Sequence, residues 1–329
     1  MTLSKRKMVF LAFVLVGIYF VLLLFLPAEI IGHRDDDMIQ FIPKLMFLAV
    51  TAAIGTMFVL IFIFKREYIK TQIYTFNRFR HYLRLLVKRD FTAKYRKSIL
   101  GVVWSLLNPM LTMLVMTLVF SYFFRFEIPY FPVYMLSGFI IYSFFSESTT
   151  FAMGSIIASE GIIKKIYVPK YIFPLSKVLS SLVNLFFTFI AFLIVFIFFA
   201  LRGMPVYWTI ILIPIPIFFT FVFSLGVAML MSSLSVMFRD ITYLYGIVTL
   251  MLMYFTPIFW PVSMLSPRMA PIIGLNPLFQ YVMYFRELAL WGTIPDLWST
   301  LVCIGYALGA FCIGTAVFIK QQDSYILSL

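Results

Sequence analysis

Residues 88–109, KRDFTAKYRKSILGVVWSLLNP, join a strongly basic segment to a long apolar one. Upstream, residues 65–97 hold eleven Lys or Arg against only Glu67 and Asp90. Downstream, apolar runs of roughly twenty residues recur, the length a helix needs to cross a bilayer. A bilayer crossing must satisfy its backbone polar groups internally, and flanking Lys and Arg place their side in the cytoplasm. The junction therefore predicts a helical integral membrane protein with its charge gathered at one membrane face. Composition agrees: with 63% hydrophobic and 12% charged residues, a chain of 329 residues has more apolar surface than a soluble core could bury. Alternating segments of a barrel would lower that apolar share. The net charge of +13 sits beside apolar runs, so it reports orientation and membrane-lipid contact, and no nucleic-acid partner is expected.

Some chemistries are left without residues to carry them. Cys303 and Cys312 share one apolar run, and His33 and His81 lie in different segments. No disulfide framework, metal site or catalytic cluster is assigned. No G-x-x-x-x-G-K-[ST] run occurs, so ATP binding through a P-loop is not expected of this chain.

Taken in order, Lys5, Arg6 and Lys7 precede an apolar run at residues 8–26, too long for a signal-peptide core and followed by no small-residue cleavage site. Residues 45–64 return to Lys65 and Arg66, so residues 1–64 are expected to form a membrane hairpin with a cytoplasmic N-terminus. Residues 65–100 form a basic segment. Within it, over 68–91, Phe76, Phe79, Leu83, Leu86, Val87 and Phe91 recur every three or four positions among Arg78, Arg80, Arg84, Lys88 and Arg89, which predicts an amphipathic helix in the headgroup plane.

Residues 101–329 read as a six-span core. The expected spans are 101–124, 133–158, 178–201, 210–236, 241–260 and 298–319, with a kink near the outer end of the fourth from Pro214 and Pro216. Lys170, Lys177, Pro169 and Pro174 mark residues 160–177 as a structured inner loop with a short helix, in which the prolines are expected to keep the next span from starting. Residues 261–297, broken by five prolines, predict short helices dipping into the outer leaflet, within an outer region of 257–297. Lys320 puts the C-terminus inside as well; Arg34, Arg125, Arg202, Arg268 and Arg286 fall in outer segments.

The plainer reading of Lys94, Tyr95, Arg96 and Lys97 is a positive-inside anchor on anionic lipid; the sharper one is a grip on an anionic, lipid-linked substrate. Residue types alone favour the plainer reading. Glu147, in SFFSESTTF, is the one carboxylate expected near the bilayer midplane, where a bond to Ser146, Ser148 or a facing helix explains it slightly better than a substrate role. A membrane glycosyl- or acyl-transferase would need a gathered acid, base or nucleophile; Asp90 and Asp240 stand singly beside arginines and read as ion pairs. The 40 Phe and 19 Tyr suit stacking on sugars as well as lipid burial.

From about Phe79 onward, the order of features resembles the permease subunit of ABC-type polysaccharide exporters, the family that handles O-antigen, teichoic acid and related cell-surface glycans. The resemblance is carried by KRDFTAKYRKSILGVVWSLLNP, GIIKKIYVPKYIFPLSKVLSSLVN, MFRDI, YFTPIFWPVS and LNPLFQYVMYFRELAL. It implies an all-α permease working as a homodimer with two separate ATPase subunits, where ATP and Mg would bind, while this chain holds no cofactor. Its substrate would be an undecaprenyl-diphosphate-linked glycan in the cytoplasmic membrane. By the same resemblance Arg89 and Lys94 to Lys97 would receive the diphosphate. Lys164, Lys165, Ile166, Tyr167, Val168, Pro169, Lys170 and Tyr171 would dock the ATPase, with Arg239 and Asp240 as a second contact. Pro257, Asn276 and Pro277 would belong to an outer gate. The hairpin of residues 1–64 departs from the six-helix pattern, and plain anchorage is its default reading. A drug-efflux permease of the same broad class shares this architecture.

Overall fold

The computed structural model describes residues 66–96, 100–120, 128–266, 268–322 and 325. The expected hairpin of residues 1–64 lies outside the described residues, as does Lys97. The chain divides into two compact units, residues 1–80 and 81–329.

Among the described residues the secondary structure is helical throughout. Helix α1 spans Arg66–Tyr95. Leu83 and Leu86 are buried while Arg80, Arg84, Lys88 and Arg89 are exposed, as the apolar spacing predicts. The helix runs further than its pattern of aromatic residues, so Lys94 and Tyr95 lie in its last turn and not in a loop. After a turn of 3-10 helix at Gly101–Val103 comes α2, Trp104–Leu118. Helix α3 is Phe131–Met153, and α4 is the short Glu160–Ile163.

Helix α5, Ile172–Ala200, starts six residues before the expected span. Pro174 falls in its first turn, where backbone N–H groups have no intrahelical acceptor to lose, so the proline does not delay the helix. The inner loop is correspondingly shorter than 160–177. Helix α6 is Pro214–Met237, preceded by 3-10 helix at Trp208–Leu212. The same logic corrects the expected proline kink: Pro214 is the first residue of α6 and Pro216 lies within its first turn, so they begin the helix instead of bending it. Helix α7, Ile241–Phe255, stops five residues short of the expected Trp260. Thr256 precedes Pro257 and is extended, with φ −97° and ψ 131°, the conformation a following proline favours.

Two short helices follow, α8 at Ala270–Gly274 and α9 at Pro277–Arg286, the latter continuing as π-helix over Glu287–Trp291. Asn276 caps α9 by accepting from the Leu278 N–H at 3.0 Å, and Pro277 supplies a preset φ at the first helical position. Helix α10, Leu297–Gln321, is capped by Asp296, whose carboxylate accepts from the Ser299 N–H at 2.9 Å.

Among the described residues, four helical segments are long and apolar enough to cross a bilayer: Gly101–Leu118, Ile172–Ala200, Trp208–Met237 and Leu297–Gln321. Helix α3 has the length but carries Ser143, Ser146, Glu147, Ser148, Thr149 and Thr150; α7 is apolar but has only 15 residues. The six expected segments are thus present in order, two of them less regular than the pattern suggests.

The core of the larger unit packs α3 against α5 and α6, and α6 against α10. Phe145 of α3 stacks on Phe223 of α6 at 5.5 Å, and Phe192 of α5 meets Phe285 of α9 edge-on at 5.4 Å. Where Gly226 of α6 meets Gly314 of α10 there is no room for a side chain. A Cβ at Gly314 would collide with the Gly226 carbonyl, and one at Gly226 with the Ala310 backbone. Such close backbone approach suits helices in lipid, where van der Waals contact replaces the hydrophobic effect as the source of association. Outward, α2 exposes Leu111, Leu114, Val115 and Leu118, and α7 exposes Leu244, Ile247, Val248 and Met251.

Candidate functional site

At the basic end, the last two turns of α1 are tied to α3 and α5 by charge. Asp90 accepts from Arg89 at 3.1 Å through one carboxylate oxygen and from Lys177 at 2.7 Å through the other. One turn on, Lys94 pairs with Glu147 at 3.0 Å, and the same Glu147 oxygen accepts from the Asn184 amide at 2.6 Å. Phe91 stacks on Phe187 between them, with centroids 6.2 Å apart. Asp90 and Lys94 are four apart on one helix; Lys177 and Asn184 are seven apart on the other, so each pair shares a face. The helix that emerges from the expected ATPase-docking segment therefore carries polar contacts to the basic helix directly.

Of the partners expected for Glu147, the facing helix holds it: half-buried, it is shared between Asn184 of α5 and, beyond the expectation, Lys94 of α1. Ser148 instead donates to the Phe145 carbonyl at 3.0 Å. Of the other candidate headgroup residues, Arg89 is exposed and engaged with Asp90, and Arg96 is exposed in the turn after α1.

The Lys94 and Glu147 pair lines one part of a cavity of about 610 Å³ between α2, α3 and α5. Its polar lining includes Ser105, Asn108, Ser143, Ser146, Thr150 and Thr188, and its aromatic lining Trp104, Phe139, Tyr142 and Phe151. The α3 contribution runs from Phe139 to Phe151, about 18 Å of helix rise. Hydroxyls and aromatic faces beside one ion pair give a surface fitted to a polar, hydroxyl-rich group that carries negative charge.

The expected docking segment divides into a projecting tip and a packed base. Ile166 and Tyr167 are 53% and 90% exposed, whereas Val168 is only 7% exposed. Lys164 is held by Glu160 one turn earlier at 2.6 Å, and Lys165 is exposed. Tyr171 packs against a buried cluster of Ile156, Met229, Val236, Phe318 and Tyr325. Lys170 donates to the Gln322 carbonyl and lies 5.7 Å from the Tyr325 ring centroid. Pro169 is half-buried, and its carbonyl accepts from the Ile172 N–H at 3.1 Å. Hence Val168 and Tyr171 belong to the base, and Ile166 and Tyr167 form the projecting tip. Arg239 and Asp240 are exposed at the short connection after α6, whose Val236 shares the cluster with Tyr171. The expected ion pair at Asp240 is not formed among the described residues; Asp240 instead starts α7, its backbone carbonyl accepting from the Tyr243 N–H at 3.1 Å.

At the opposite end, Asn276 donates to the Thr256 hydroxyl at 3.0 Å, which brings Pro257 near Asn276 and Pro277. The C-terminal end of α9 holds a residue that sequence reasoning placed in an outer segment. Arg286 is fully buried. Its guanidinium donates to the Tyr134 carbonyl at 3.1 Å, the Ser137 hydroxyl at 3.2 Å and the Ile258 carbonyl at 3.5 Å, and lies 3.5 Å from the Tyr134 ring centroid. Gly138 makes the room: a Cβ there would sit 3.0 Å from the guanidinium. Both ends of α9 thus hold the turn that follows α7.

Sequence reasoning also missed Asn184, an amide inside an apolar run, and read Lys177 only as a loop marker. A polar amide in such an apolar run was the available signal.

An all-α protein with several apolar helices long enough to cross a bilayer, a basic amphipathic helix and an amphiphilic cavity is a multi-pass membrane permease in build. Residues 81–290 match the ABC-2 type transporter family, and the chain belongs to that family. It is 30% identical over 243 residues to the O-antigen export system permease protein RfbA of Klebsiella pneumoniae, covering 72% of this chain and 91% of that protein. A protein of the same name from Myxococcus xanthus is 25% identical over 254 residues, 77% of this chain and 96% of the relative.

Proposed function

We propose that this chain is the transmembrane subunit of an ATP-driven exporter that moves a lipid-diphosphate-linked cell-surface polysaccharide across the cytoplasmic membrane. The observation that carries the reading is the cavity between α2, α3 and α5, with Lys94 and Glu147 on its wall, in a family whose compared members are named O-antigen export permeases. The diphosphate would approach on the side of Arg89, Lys94, Tyr95, Arg96 and Lys97, and the first sugars would meet the hydroxyl and aromatic lining. By the positive-inside rule that side, and both chain termini with it, would lie in the cytoplasm, a reading the flanking basic residues support.

Two copies of the chain would pair, with exposed apolar faces such as that of α7 turned to lipid or to the second copy. Two ATPase subunits, carrying ATP and Mg, would dock at the tip formed by Ile166 and Tyr167, with Arg239 and Asp240 beside it. A push on that tip enters α5 within a few residues, and Lys177 passes it to Asp90 on the basic helix. The residues around Pro257, Asn276 and Pro277 would close the outer end. Asp90 is held by two cations, which leaves it poorly suited to act as the general base of a transferase.

The test is capture of the ATPase. The tagged chain, extracted in mild detergent, is expected to bring down a nucleotide-binding subunit, and an Ile166→Asp/Tyr167→Asp variant to lose it while staying folded. Absence of any ATPase from the wild-type capture, or equal capture by the variant, contradicts the assignment.

A further inference from the structure

We infer that Glu147 occupies the place of the substrate's phosphate: it is an internal competitor that holds Lys94 until a headgroup of more than one negative charge displaces it. The inference rests on the proposed lipid-diphosphate reading and adds a residue that sets which anions enter.

The geometry is that of an anion cradle already filled. Lys94 from α1 and Asn184 from α5 converge on a single oxygen of Glu147, at 3.0 and 2.6 Å. A cation and an amide N–H aimed at one oxygen are the donors a phosphoryl oxygen would take, and the filled position opens onto the 610 Å³ cavity rather than into a packed core. The pair is also built to exchange. The Lys94 and Glu147 side chains keep 44% and 24% of their exposure, so water screens their attraction and the bond is weak.

A weak pair still discriminates because it is intramolecular. The cytoplasmic leaflet presents singly charged phospholipid headgroups in great excess, and an open lysine at the cavity would be occupied by them. A tethered carboxylate at 3.0 Å has a high effective concentration, and a monoanion that replaces it exchanges one charge for one. A diphosphate brings more charge and more acceptor oxygens. It can take Lys94 and Asn184 together and reach exposed Arg96 in the next turn. Specificity then arises from a repulsive element as much as from an attractive one.

The experiment uses the full chain in phosphatidylcholine nanodiscs, titrated with farnesyl diphosphate and with a singly charged monophosphate diester, methyl farnesyl phosphate, each with and without phosphatidylglycerol in the disc. Wild type is expected to prefer the diphosphate and to keep that preference with phosphatidylglycerol present. Glu147→Gln preserves size and hydrogen bonding but not charge. It should raise affinity for the monophosphate by about two- to fivefold, the weight of one exposed ion pair, narrow the preference and admit phosphatidylglycerol as a competitor. Lys94→Met should weaken both probes. A wild-type ratio in Glu147→Gln overturns the inference while leaving the headgroup reading intact. Failure of wild type to bind the diphosphate overturns the headgroup reading, and the inference with it. If Glu147→Gln does not yield a monodisperse protein, Glu147→Asp serves, its shorter reach loosening the pair in the same direction; an unchanged ratio there is equally decisive.

Discussion

The two ends of the molecule handle cations in opposite ways. At the basic end, Lys94 and Lys177 meet carboxylates in partly exposed pairs that join separate helices. At the other end Arg286 is fully buried, has no carboxylate partner among the described residues, and is held by backbone carbonyls, a hydroxyl and an aromatic face. Screened ion pairs can exchange partners at little cost, whereas a buried guanidinium cannot leave its acceptors without stranding them. The difference separates a place where charge is traded from a place where it is fixed.

Removing the fixed charge should do the most damage. Arg286→Ala leaves a cavity and frees the turn at Ile258, with an expected loss of about 2–5 kcal/mol and a clear fall in thermal midpoint. Gly138→Val, which drives a side chain into the same guanidinium, should destabilise in the same direction. Near-normal melting of both variants would erase the contrast between the two ends.

Asp90→Asn should behave differently, since its carboxylate is not fully buried and has two cations to share it. A stability change near about 1 kcal/mol is expected, together with a several-fold loss of export at unchanged ATPase capture. If export follows stability alone, the strut between Lys177 and the basic helix carries no force. The tip variant Tyr167→Asp should leave the melting curve unchanged, the side chain being 90% exposed, and weaken ATPase capture. The smallest effect belongs to Pro214→Ala: because that proline opens α6 instead of kinking it, melting should move by a few tenths of a kcal/mol at most. A large loss would restore the kink.

The spans were legible because apolar length and flanking charge are local properties, as was the amphipathic face of α1. What escaped depended on tertiary proximity. Arg286 looks like a loop arginine because nothing within its own segment shows that Gly138, Ser137 and the Ile258 carbonyl converge on it. Lys94 looks like one more surface cation, since Glu147 is 53 residues away. Val168 and Tyr167 are adjacent and both apolar in character, yet one packs inward and one projects, a difference that turn geometry sets and residue type does not. The prolines of α5 and α6 were misjudged for the converse reason: their effect depends on position within a helix, which is the least certain part of any boundary.

The central claim is ATP-driven movement of a lipid-linked glycan, and inside-out membrane vesicles containing the chain and its captured ATPase test it most directly. On adding ATP, a labelled lipid-linked glycan at the outer vesicle surface should become protected from added glycosidase, and protection should require both proteins. Protection without ATP, or a glycan that is lengthened or transferred by this chain instead of moved, would contradict the account.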